Sequence, residues 1–141
     1  MSKQFWINLP VSDMARSKQF FTDIGFRVNP LHENNPEIGS FFLDESDTVM
    51  MLFSRESMEG FMANAIANTS VGNEILLNID AESREEVDAM AERVRTAGGT
   101  IYAEPGESDG WMYAFGFIDP DGHRWSMLYM DMSKAPGQEQ E

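Results

Sequence analysis

Apolar and polar positions along the chain form two successive series of the same kind. FWINLPV (residues 5–11) reads as a strand, and Ser12 and Asp13 behind it are both suited to cap a helix. Met14, Phe20, Phe21 and Ile24 recur at near-helical spacing, and Gly25 predicts the helix end. FRVN opens a second strand. After a Pro- and Asn-rich turn, IGSFFLD and TVMMLFS predict two more, separated by a turn at residues 45–47. The second series begins with EILLNID (residues 74–80), read as a strand. Ser83 and Glu86 follow as an S-x-x-E capping box. Val87, Met90, Val94 and Ala97 mark the buried stripe of a helix that stops at Gly98 and Gly99. TIYAE, WMYAFGFID and HRWSMLYM then read as strands, the last two joined by Asp119-Pro120-Asp121-Gly122, which suits a type I turn. GES (residues 106–108) also reads as a turn.

Strand, helix and three strands thus occur twice. Aligning the openings sets Trp6 against Glu74 and Val11 against Ile79, each 68 positions apart. Identity between the halves is slight, so what repeats is the pattern, pointing to two copies of one supersecondary unit. One helix cannot cover a four-stranded sheet, so the bare face must curl around something or meet another copy. Between the halves, Met58, Phe61, Met62, Ala65 and Ile66 fit a short amphipathic helix, either a connector packed on the rim or a lid over a ligand. Residues 133–141 are polar with one alanine and read as a flexible tail. The expected organisation is one α+β domain over residues 1–132, built from modules at about 4–54 and 73–132, with no second domain.

Composition narrows the function. The chain has 141 residues, enough for one compact core, and 24 acidic against 10 basic residues give a formal net charge of -14. That balance argues against nucleic acid and against an anionic membrane surface, and favours neutral or cationic partners. The same acidity also serves solubility alone. With no cysteine, disulfides, thiolate metal sites and cysteine nucleophiles are excluded. No segment resembles a signal peptide or a transmembrane span, so a cytoplasmic location is expected.

NLPVSDMARSKQFFTDIGF resembles the opening of glyoxalase and bleomycin-resistance proteins of the vicinal oxygen chelate superfamily, and FIDPDGHRWSML resembles their closing hairpin. The resemblance covers roughly residues 3–132 and is nearest to a bacterial branch labelled predicted lactoylglutathione lyase. It implies paired βαβββ modules, sheets curled into a half-open barrel around a cleft, and a homodimer. Metal-dependent members take one ligand from the first strand and one from the last strand of each module. Carried onto this chain, those positions are Trp6, Met51, Glu74 and Ser126. Glu74 alone is a convincing ligand: the Trp6 indole has a donor and no lone pair, Met51 is a soft thioether, and Ser126 a weak neutral oxygen. The metal site implied by the family is therefore expected to be absent, and no other cofactor is expected.

Glu74 is the candidate catalytic residue. Facing a cleft, it would be desolvated and could act as a general base or hold a cationic ligand; at the strand's mouth it would be wet and inert. Trp111, Tyr113 and Phe115 share one predicted strand face, which suits either a ligand platform or core. Methionines such as Met50, Met51, Met58, Met62, Met112, Met127 and Met130 offer adaptable sulfur surface or fill gaps in a core. His32 reads as a solvated loop residue and His123 as a structural hydrogen-bond partner. There is no GxSxG elbow, P-loop, dinucleotide fingerprint or calcium loop. The expectation is a small-molecule-binding protein without a metal, its ligand cationic or aromatic, its cleft lined by Trp6, Met51, Trp111, Tyr113 and Ser126. The alternative is a glyoxalase-type lyase or isomerase using Glu74, with or without metal.

Overall fold

A computed structural model describes residues 3–137. The chain divides into two compact units, Met1–Gly72 and Asn73–Glu141. Each holds a four-stranded mixed sheet with one long helix on it.

In the first unit the order is β1 (Trp6–Val11), α1 (Met14–Asp23), β2 (Arg27–Val28), β3 (Gly39–Phe42), β4 (Val49–Ser54) and α2 (Arg55–Met62). The sheet order is β1-β4-β3-β2, with β1 parallel to β4 and the other pairs antiparallel. Asp13 caps α1 by accepting from the Arg16 N–H at 3.1 Å. Helical spacing then brings Phe20, Phe21 and Ile24 to one side, where all three are buried. Phe21 meets Phe41 of β3 at 5.8 Å between ring centroids. Phe41 pairs in register with Met50, and Gly39 with Leu52, so these residues face α1 and form the core. Trp6, Asn8, Met51 and Phe53, of opposite parity, face away from it.

The second unit runs β5 (Leu76–Ala81), α3 (Arg84–Thr96), β6 (Thr100–Ser108), β7 (Met112–Ile118) and β8 (Arg124–Met130). Its sheet order is β5-β8-β7-β6, again with the first strand parallel to the last. Ser83 accepts from the Glu86 N–H at 3.1 Å, and the Glu86 carboxylate returns to the Glu82 N–H at 2.7 Å, one residue earlier than in a standard capping box. Val87, Met90, Ala91 and Val94 are buried on the α3 face. Phe115, Phe117, Trp125 and Met127 lie buried beneath them, with Phe117 and Trp125 stacked at 5.9 Å and 6° between planes. Met50, Met58 and Met127 are core residues too.

Both closing turns are built by an aspartate in the same place, five residues before the last strand. Asp44 accepts from the N–H of Ser46 and Thr48, each at 3.0 Å, and from the Thr48 hydroxyl at 2.9 Å. Asp119 accepts from the N–H of Asp121 at 3.0 Å, of His123 at 3.1 Å, and from Trp125 Nε1 at 3.1 Å. The surroundings differ. Asp44 is exposed, and the Thr48 hydrogen bonds hold its carboxyl below the ordinary range. Asp119 is 5% exposed, and burial pushes its carboxyl up. The His123 charge and the Trp125 hydrogen bond oppose that rise without cancelling it.

Several sequence expectations need correction. The strand expected from residue 74 begins at Leu76. The internal offset is 70, not 68: the helix caps are Asp13 and Ser83, and the strands open at Trp6 and Leu76. GES belongs to β6, where Gly106 pairs with Ala114 and Ser108 with Met112. Helix α2 ends at Ala63, which turns left-handed at φ 53°, so Ala65 and Ile66 lie beyond it. A 3-10 turn, Met132–Lys134, runs into the expected tail, where Ala135 is buried, while residues 138–141 lie outside the described residues. Among the described residues no helix is long and apolar enough to cross a membrane.

Candidate functional site

The face of the first sheet turned away from α1 borders an open cavity of about 960 Å³. Trp6 and Asn8 of β1 and Met51 and Phe53 of β4 line its floor. Phe61 of α2 stands edge-on to Phe53, 5.0 Å between centroids, and forms one wall. Leu31 and His32, in a 3-10 turn whose cap Asn29 accepts from the Leu31 N–H at 3.2 Å, form another. Trp6 is 54% exposed and Phe61 62%, so large aromatic surface is wet here.

Polar groups gather at the rim of this site, among them Lys3, Gln4, His32 and Asp47. Asn29 Nδ2 donates to the Ser40 hydroxyl at 3.1 Å, and Ser40 is the register partner of Met51. At the rim Asp47 pairs with Arg27 at 2.9 Å, and Arg27 also donates to the Asp44 carbonyl at 2.6 Å. Lys3 lines the cavity as well. Asn8 is the exception, on the floor. Its Oδ1 is buried and has no hydrogen-bond partner among the described residues. Such an orphan costs about 1–3 kcal/mol, a cost that persists only where structure or function holds it.

The second sheet's face turned away from α3 is arranged differently. Ser126 lies there, in register with Asn78 on one side and Gly116 on the other. Tyr113 and Phe115 do not. Their parity puts them on the α3 side, where the Tyr113 hydroxyl donates to Asp88 at 2.7 Å and Arg84 lies 5.0 Å over the Tyr113 ring. The Asp88 hydrogen bond holds the Tyr113 phenol above its ordinary range. Trp111 sits in the turn before β7, its carbonyl accepting from the Asp131 N–H at 2.8 Å. Glu74 is exposed on a bend two residues ahead of β5, so the burial a general base would need is missing. Of the expected set, Trp6 and Met51 line one cavity of the first unit. Asn8 and Phe53 were not singled out from sequence, whereas Phe61 belonged to the helix read as a connector or a lid. Asn8 had a detectable signal, because Asn78 stands at the matching place once the offset is 70.

Register also identifies which positions match those that hold metal in the resemblance. The second-unit position matching Trp6 is Leu76, not Glu74, since Trp6 pairs with Val49 two residues before Met51, and Leu76 with Arg124 two before Ser126. Trp6, Met51, Leu76 and Ser126 present no nitrogen lone pair and no carboxylate. This donor set does not fit a divalent metal of the kind such sites hold. Among the described residues no group of three or more histidine, aspartate or glutamate side chains could hold one.

With two βαβββ units and this register established, the chain belongs to the Glyoxalase/Bleomycin resistance protein/Dioxygenase superfamily, whose family model matches residues 3–127. Among solved structures it is similar to the hypothetical protein SA1046 from S. aureus, at 27% identity and TM-score 0.78 over 92% of this chain and 95% of that one. It is also similar to the antibiotic binding protein TnmS3 from Streptomyces sp. CB03234, at 20% identity and TM-score 0.64 over 92% and 97% of the two chains. A lactoylglutathione lyase from Agrobacterium tumefaciens matches at 16% identity and TM-score 0.65 over 96% and 98%. The last two share the fold. A search of curated proteins found no significant match.

Proposed function

We propose that the chain binds a small, flat, largely apolar molecule against Trp6, Met51 and Phe53 of the first unit, without a metal. The observation that carries this reading is the unpartnered Asn8 Oδ1 on a cavity floor whose other side chains there are Trp6, Met51 and Phe53. A ligand N–H or O–H, met by a small rotation of the Asn8 amide, would satisfy it. Trp6 and Phe53 supply π-faces for an aromatic or cationic body, and Met51 a surface that adapts to its shape. The net charge of -14 enriches cationic molecules near the chain, so an aromatic amine fits best. Action as a homodimer in the cytoplasm belongs to the same proposal and rests on the resemblance; sedimentation of the purified chain tests the dimer.

The lyase or isomerase reading has less support. It needs a base or a metal where the chain presents Trp6, Met51, Leu76 and Ser126, and Glu74 is exposed outside the strand. A thermal-shift screen of chelator-free protein separates the readings. Aromatic amines are expected to raise Tm, and Trp6→Ala to abolish that rise; a ligand at a hundred times its Kd stabilises by about 2.7 kcal/mol. Stoichiometric metal in the purified protein, or strong stabilisation by nickel, zinc or manganese, would overturn the proposal.

A further inference from the structure

The bare face of the second sheet carries a feature that the small-molecule reading does not use. Strands β6 and β7 slip register between Ile101 and Ala103, an irregularity that takes Tyr102 out of simple alternation. Its ring crosses the neighbouring strand over Gly116: a Cβ placed on that glycine would lie 2.2 Å from Tyr102 Cζ. Only a residue without a side chain leaves the ring this seat. Past Gly116 the phenol donates to the Trp125 carbonyl of β8 at 3.2 Å. The Arg124 guanidinium carbon lies 4.7 Å from the same ring's centroid. Bulge, glycine and hydroxyl anchor together fix an aromatic platform beside one half-buried cation.

That cation is unpaired. Arg27, Arg84 and Arg95 each meet a carboxylate, whereas Arg124, like Arg55 and Arg93, makes no ion pair among the described residues. In a chain with 24 acidic residues a carboxylate partner is easily supplied, yet none is placed here. Asp80, on the same face, lies four register positions along the strands, about 13 Å away. Ser126 is two residues from Arg124 on that face, and Asn78 is its register partner.

We propose that Arg124, held on the Tyr102–Gly116 platform, binds the carboxylate of a small organic acid, with the Ser126 hydroxyl and the Asn78 amide as further donors. A stacked guanidinium keeps its N–H edge available for a forked contact with two oxygens. A single cation balances a single charge, so a carboxylate matches it and a phosphate dianion leaves excess negative charge in an already acidic chain. The proposal concerns the second unit alone and does not rest on the first unit's cavity.

The test is an NMR titration of the nitrogen-15-labelled chain at physiological salt with benzoate, benzylamine and inorganic phosphate. Benzoate is expected to shift the Arg124 Nε–H and the Gly116 and Ser126 amides saturably. Arg124→Gln should weaken it about tenfold or more, and Arg124→Lys, which keeps the charge without the fork, several-fold. Benzylamine should not saturate these signals, and phosphate should bind more weakly than benzoate. If Arg124→Gln fails to fold, Arg124→Lys decides. Absent benzoate shifts, wild-type affinity in the folded variants, or tighter binding of phosphate or benzylamine at these residues would each overturn the proposal.

Discussion

In the first unit the bare face of the β1–β4 pair holds Trp6, Asn8, Met51 and Phe53; the matching positions of the second unit hold Leu76, Asn78, Ser126 and Leu128. Strand order, parallel pairing, helix caps and turn aspartates are shared. The bare faces have diverged into an aromatic cavity beside an orphaned amide and a tyrosine platform beside an arginine. Topology therefore repeats the same face positions in each unit, while the residue types at those positions differ.

Phe21 and Trp125 anchor the two helix-covered faces at 1% exposure each. Phe21→Ala and Trp125→Ala should each destabilise by about 3–5 kcal/mol in urea unfolding. A cost near zero in either would break the claimed parity of the two cores.

The turn aspartates should show opposite pH dependence. Burial raises Asp119 in the folded state, so its contribution is full below the ordinary value near 3.8 and is lost as pH rises through the folded value. Asp44 is lowered, so its contribution is present above about 3.8 and is lost as pH falls through its folded value. Asp119→Asn sets an amide donor against the Trp125 indole N–H and should cost about 1–3 kcal/mol. That deficit should shrink as pH rises through the raised Asp119 value, whereas the Asp44→Asn deficit should shrink on acidification below the ordinary value near 3.8. Equal slopes in denaturation series would contradict the assignment.

Gly116→Ala displaces the Tyr102 ring and should cost about 1–3 kcal/mol, less when Tyr102→Ala accompanies it. Trp6→Ala, at a wet position, should change stability by no more than about 0.5 kcal/mol while removing aromatic binding. Glu74→Gln should alter neither, and a loss of binding there would return Glu74 to the site.

The fold was legible because alternation, two capping signals and two glycine stops mark βαβββ twice. The site was less so. Matching the apolar openings gave an offset of 68 and made Glu74 the counterpart of Trp6; the caps at Asp13 and Ser83 give 70 and make it Leu76. Parity along β7 grouped Trp111, Tyr113 and Phe115 but could not say which face carries α3. Nor does the sequence around Tyr102 announce a bulge, because the slipped register is a property of two strands together.

The most direct test of metal-free aromatic binding is the titration of chelator-free, isotope-labelled protein with benzylamine, followed through the Trp6 indole and Asn8 side-chain amide signals. Saturable shifts of both are expected, with no change in them on adding zinc or nickel. Unmoved signals with benzylamine, or the same signals shifted by a metal, would contradict it.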